Sequence, residues 1–184
     1  MPARRDGTTG DRATTGRREG RAGPTPKRGV ANSTASGGPK VALVCSHGGH
    51  LTELMALSTA WDDMDHFWVT YDAPRTRALD RAYLLRNIGF NPFLMAKALL
   101  SIVRIFAIER PAVLITDGAE IAIPAVLVGR LLGCRIIFVE VWTRVSMPTM
   151  SGRIVYPFCH GFFVMWPEML ESYAPKAGYV GGLL

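Results

Sequence analysis

The chain has 184 residues, with 21 Lys+Arg against 15 Asp+Glu, and a formal net charge of +6. All of that excess sits in residues 1–40, and residues 41–184 balance to zero, so the charge describes a tail and not a basic nucleic-acid-binding surface. Residues 1–39 contain no Leu, Ile, Phe, Trp or Tyr, are expected to be disordered, and lack the apolar run of an export signal.

The remaining 40–184 segment suits one domain with a real core. Its cysteines, Cys45, Cys134 and Cys159, lie in apolar surroundings and point to a reducing compartment. No charge-free apolar stretch approaches the ~20 residues of a membrane span.

Lys40 to Cys45 reads as a short buried strand, closed by the turn Ser46-His47-Gly48-Gly49. His50 to Trp61 reads as a helix with Leu51, Leu54, Met55 and Leu57 on its apolar face. His66 to Tyr71 is a second strand, and the Arg-rich stretch 75–91 has no clear periodicity. Pro92 to Glu109 is the longest helical pattern, stopped by Pro111. Ala112 to Thr116 is a strand, Asp117 to Glu120 a turn, and Ile121 to Leu132 a helix ending at Gly133. Arg135 to Val141 is a strand, Trp142 to Ser151 a loop, and Gly161 to Met165 a last short strand. The strand–turn–helix repetition predicts an α/β fold, a Rossmann-like parallel sheet with helices on both faces.

The glycine turn carries the chemistry. Adjacent Gly48 and Gly49 permit a sharp turn and a close ligand approach, and the following helix points its N–H groups into the same place. A pyrophosphate or a developing oxyanion fits there. The spacing is not the dinucleotide fingerprint, so no nicotinamide or flavin cofactor is implied. His47 and His50 flank the glycines, where each can orient a phosphate, act as a base or simply cap the helix. Cys45, His47 and His50 make no closed metal-ligand set.

The segment from Ser46 to Leu54 and the one from Asp117 to Pro167 resemble a known family. The matching pieces are Ser46-His47-Gly48-Gly49-His50-Leu51-Thr52-Glu53-Leu54, Asp117 to Pro124, Phe138-Val139-Glu140, Thr143-Arg144-Val145, Ser151 to Pro157, Phe163 to Leu170 and Gly181-Gly182. Together they look like the accessory, membrane-associating subunit of the two-chain UDP-N-acetylglucosamine transferase of lipid-linked oligosaccharide synthesis. The style is closest to bacterial capsule and exopolysaccharide relatives of the PssD type.

The resemblance implies the N-terminal, acceptor-side half of a GT-B glycosyltransferase. A separate donor-binding chain would hold the UDP-sugar, and a polyprenyl-diphosphate-linked sugar would be the acceptor. It places Ser46, His47, Gly48, Gly49 and His50 at the acceptor diphosphate. It makes His50, as general base or phosphate contact, and then Glu140, as base or orienting carboxylate, the candidate catalytic groups, with Arg144 neutralising phosphate and Asp117, Gly118 and Glu120 lining the cleft. The lesser alternative for Glu140 and Arg144 is a loop salt bridge. Where many relatives carry an alanine–aspartate pair this chain has Cys159-His160, and Trp142 replaces a small residue.

The Pro92–Glu109 helix is apolar except for a narrow stripe of Lys97, Ser101 and Arg104. It reads either as a buried crossover or as an interfacial helix touching the bilayer through Phe93, Lys97, Leu100 and Arg104. The resulting expectation is a peripheral protein at the cytoplasmic face of the plasma membrane. The competing expectation is a self-contained Rossmann-class enzyme that binds a nucleotide or phosphate on its own.

Overall fold

The structure, a computed structural model, describes residues 38–179 and residue 181. The expected disordered tail, up to residue 37, and most of the Gly181–Leu184 segment lie outside the described residues.

Among the described residues, seven strands form one wholly parallel sheet in the order β3-β2-β1-β4-β5-β6-β7. They are β1 Val41–Val44, β2 His66–Tyr71, β3 Ala82–Leu85, β4 Val113–Thr116, β5 Arg135–Val139, β6 Gly161–Val164 and β7 Ala177–Tyr179. The chain winds outward from β1 in one direction, then returns and winds outward from β4 in the other. The switch point therefore lies between β1 and β4, where Val44 is in register with Thr116.

Four α-helices among the described residues cover the sheet: α1 Gly49–Ala56, α2 Pro92–Glu109, α3 Ala122–Leu131 and α4 Met150–Val155. On one face α1 buries Leu51 and Leu54 against Val41, Leu43 and Trp68, with Trp61 edge-on to Trp68. Full burial of each such leucine contributes about 1.5–3 kcal/mol. On the other face Ala98, Ile102, Ile105 and Phe106 of α2 join Ala125 and Val128 of α3 and Val155 of α4 in the larger core. Asn91 caps α2 by accepting from the N–H groups of Phe93 and Leu94, with Pro92 in the first turn.

Several boundaries moved. The first helix ends at Ala56, and Ser58–Ala60 continues as a single 3-10 turn. The unassigned stretch holds β3, an edge strand whose AYLL sequence is too short to show a period. The expected Trp142–Ser151 loop gives way to α4 at Met150, because Thr149 accepts the N–H of Gly152 and starts a helix. Strand β7, Ala177–Tyr179, lay in a segment where no strand was expected.

Candidate functional site

At the switch point the turn after β1 meets the turn after β4. Gly48 has φ +90° and closes the four-residue turn, 45–48, that joins β1 to α1. Neither His47 nor His50 caps the helix, since α1 has no side-chain cap. His50 instead turns inward, and its Nδ1 lies 3.2 Å from Oδ2 of Asp117. The separation is an ion-pair distance, without the alignment of a hydrogen bond. Asp117 is buried, and neither carboxylate oxygen has a hydrogen-bond partner among the described residues. The imidazole remains partly open, with 27% of its side chain exposed.

The two groups perturb each other. Burial pushes the Asp117 carboxyl up to about 6, against the pull of His50. Burial disfavours the His50 imidazolium, but Asp117 and then Glu53 outweigh it and hold His50 above its ordinary value. In the neutral imidazole, Asp117 beside Nδ1 favours the proton on that nitrogen, which leaves Nε2 as the acceptor.

Gly118, at φ +112°, continues the turn. A Cβ there would stand 3.2 Å from Oγ of Ser151, 3.4 Å from Phe138 and 3.7 Å from Cε1 of His50. The β1, β4 and α4 segments thus converge on one spot. Ser46 is half-buried beside His47, and its Oγ reaches the His47 carbonyl at 3.4 Å. His47 is exposed and sits edge-on to Tyr71, with ring centroids 6.1 Å apart. Tyr71 in turn donates to Glu120 at 2.9 Å, so Glu120 is tied to the end of β2.

Of the two roles expected for Glu140, base or orienting carboxylate, its surroundings suit the second. It is 1% exposed, and its carboxylate is occupied inside the protein. Oε2 accepts from the Thr149 hydroxyl at 3.1 Å, from the Thr149 N–H and from the Tyr173 hydroxyl, while Oε1 accepts from the N–H of Val141. The result is a carboxylate that orients the loop between β5 and α4. Gly152 makes room for it, since a Cβ there would lie 2.5 Å from the Tyr173 hydroxyl and 2.7 Å from Oε2 of Glu140. Arg144 does not pair with Glu140. It is exposed on the same loop, with no ion pair among the described residues.

Two contributors escaped the sequence reading. Glu53, quoted only as part of the turn segment, accepts the N–H of Trp142 at 3.0 Å, and the Trp142 carbonyl accepts from Nε1 of Trp166 at 2.6 Å. Arg75 donates to the Thr52 hydroxyl at 3.0 Å, which itself donates to the Gly48 carbonyl. Neither partner is close in sequence, so no local pattern marks them.

Cavities of about 330 Å³ near Trp61 and 320 Å³ near Phe106 lie at the amino ends of the strands, away from this site. Among the described residues no group of three or more His, Cys, Asp or Glu could hold a metal ion. Phe93, Lys97, Leu100 and Arg104 are all exposed and fall on one face of α2. No helix among the described residues is long and apolar enough to cross a membrane.

The family model described as "Oligosaccharide biosynthesis protein Alg14 like" matches residues 68–183. The chain belongs to the Alg14 family.

Curated relatives of this Alg14-family chain carry one description, UDP-N-acetylglucosamine transferase subunit. The Yarrowia lipolytica protein is 46% identical over 54 residues, 29% of this chain and 24% of the relative. The Schizosaccharomyces pombe protein is 28% identical over 116 residues, covering 60% of this chain and 54% of the relative. The human protein is 31% identical over 81 residues, 41% of this chain and 37% of the relative. In each case the matched stretch spans about half of the relative or less.

Among solved structures, MurG from Acinetobacter baumannii matches with a TM-score of 0.66 at 18% identity, covering 78% of this chain and 46% of MurG. The UDP-GlcNAc 2-epimerase of Methanocaldococcus jannaschii matches with a TM-score of 0.61 at 14% identity, covering 78% of this chain and 45% of the epimerase. At these identities the likeness establishes the fold. It is the Rossmann-like half of a GT-B architecture, as expected.

Proposed function

We propose that this Alg14-family chain is the acceptor-side, membrane-associating subunit of a two-component glycosyltransferase. The reaction moves a sugar, N-acetylglucosamine or another carried on UDP, to a polyprenyl-diphosphate-linked acceptor in oligosaccharide or polysaccharide synthesis. A separate chain binds the UDP-sugar. The observation that carries this reading is the His50–Asp117 pair beside the glycine turn at the switch point, at 3.2 Å.

In this reading the acceptor diphosphate lies at the turn formed by Ser46, His47, Gly48 and Gly49, against the first N–H groups of α1. Nε2 of His50 takes the proton from the acceptor hydroxyl as its oxygen bonds to the anomeric carbon, and UDP departs with the bonding electrons. Asp117 raises the basicity of His50 and stabilises the imidazolium that forms. Gly118 keeps the space beside the His50 ring free of a side chain, and Glu120 braces the β2 side of the turn. Glu140 orients the loop that presents Arg144 to phosphate charge. The stripe of Phe93, Lys97, Leu100 and Arg104 rests in the head-group region of the cytoplasmic leaflet.

The test is co-expression with the donor-binding chain, followed by sugar transfer to a lipid diphosphate in membranes. Activity is expected only from the pair. His50→Ala is expected to lower it by about 10²–10⁴-fold. Transfer by this chain alone would overturn the two-chain reading, and full activity of His50→Ala would remove His50 from the mechanism.

A further inference from the structure

The charges of the domain are segregated by face. Between Glu120 and Glu168 the sequence contains one acidic residue, Glu140, and it is buried. Helix α2 has none before its final residue, Glu109, which is bonded to Lys40, Arg81 and Tyr83. The layer formed by α2, α3 and α4 therefore presents Lys97, Arg104, Arg130 and Arg153 with no exposed acid among them. All four cations are exposed, and none has an ion pair among the described residues. Exposed acids lie elsewhere: Asp62, Asp63, Asp72 and Asp80 around α1 and the β3 edge, and Glu168 and Glu171 beyond α4.

Apolar exposure follows the same division. Phe93 is 80% exposed and Leu100 57% on α2, Leu131 is 87% exposed on α3, and Met150 is 60% and Ile154 43% exposed on α4. The three helices are neighbours in that order on one face of the sheet, burying their inner sides in a common core. Large apolar side chains set among unpaired cations match the interfacial zone of a bilayer whose head groups are anionic. A soluble acidic partner would satisfy the charges but leave the aliphatic tips without an apolar counterpart.

We propose that the α2–α3–α4 layer as a whole is a docking face for an anionic bilayer, with Arg130 and Arg153 binding acidic head groups beyond the α2 stripe. This rests on the membrane reading above and adds to it the breadth of the contact and the lipid charge it selects.

The experiment is co-sedimentation of the full chain with phosphatidylcholine vesicles, with and without phosphatidylglycerol. Arg130→Gln with Arg153→Gln is expected to weaken binding to the anionic vesicles by about tenfold or more. A charge-matched pair on the opposite face, Met55→Glu with Thr59→Glu, is expected to change it by less than about twofold. All four positions are half-buried or exposed, and unchanged circular dichroism checks that each variant folds. Wild-type binding by the Arg130/Arg153 variant would overturn the proposal, as would equal losses from both pairs. If Lys97→Gln with Arg104→Gln still released the chain in the first case, the α2 reading would stand and only its extension would fall.

Discussion

Oε2 of Glu53 accepts the N–H of Trp142 at 3.0 Å, across 89 positions of the chain. One carboxylate thereby joins the helix that carries His50 to the loop that carries Arg144. Its charge also supports the protonated form of His50, after the larger pull of Asp117 and against the effect of burial. Two substitutions separate these effects. Glu53→Gln keeps an acceptor for Trp142 and removes the charge, so the His50 pKa is expected to fall while the loop holds. Glu53→Ala is expected to lose both, at about 1 kcal/mol of stability for the missing hydrogen bond. An NMR titration of the His50 ring and hydrogen exchange at the Trp142 amide read the two arms. A His50 titration unchanged in Glu53→Gln would contradict the electrostatic link.

The His50–Asp117 pair makes stability depend on pH in a definite direction. Asp117 titrates at about 6 in the fold, above the ordinary 3.8, so the folded state holds that proton more tightly. Its contribution is fully present below the ordinary value and is lost as pH rises to about 6. His50 is also raised, so its contribution is present below 6.5 and is lost as pH rises through its folded value. Despite burial, Asp65 is lowered by Arg81 and Lys40, and Glu109 by the Tyr83 hydroxyl, Lys40 and Arg81, and both act in the opposite sense at low pH. The comparison that isolates the pair is the melting temperature of Asp117→Asn against the parent from pH 4 to 8. The variant is expected to gain relative stability as pH rises through 6.

Gly152 allows the Glu140 network to close. Gly152→Ala places a methyl 2.5 Å from the Tyr173 hydroxyl and 2.7 Å from Oε2 of Glu140 and Oγ1 of Thr149. The expected cost is about 1–3 kcal/mol, read by thermal or urea unfolding. Tyr173→Phe removes one donor to the buried Glu140 and is expected to cost about 1–3 kcal/mol as well. Burial and Glu140 both raise the Tyr173 pKa, so the hydroxyl stays protonated and the effect is expected to be the same at pH 6 and pH 9.

Gly118→Ala tests whether the β4 turn supports the histidine. At φ +112° any side chain is strained, and its Cβ would crowd Ser151 at 3.2 Å and stand 3.7 Å from His50. The expected outcome is a loss of about 1–3 kcal/mol together with a shifted His50 titration. A destabilised variant with an unshifted His50 would confine the role of Gly118 to the backbone.

The local signals in this sequence were strong where one element decides its own form. Apolar runs such as Val41–Val44, the helical pattern starting at Pro92 and the glycine pair at 48–49 are legible because strand burial, helix periodicity and turn geometry act over a few residues. The parallel class follows from their alternation. Strands β3 and β7 were not legible, since each is an edge strand of three or four residues held by pairing with a neighbour.

The site divides in the same way. The glycine turn marked His50 and the family resemblance added Asp117, Glu140 and Arg144, but the sequence could not say which of them meet. Only the crossing of the chain at the β1–β4 switch point puts Asp117 behind His50, turns Glu140 toward Tyr173 and leaves Arg144 outside. Side-chain partners 33 to 89 positions apart are set by sheet order and helix packing, and those are properties of the whole chain. The net charge of +6 is likewise a property of composition, whereas the acid-free face of α2, α3 and α4 exists only once the three helices lie side by side.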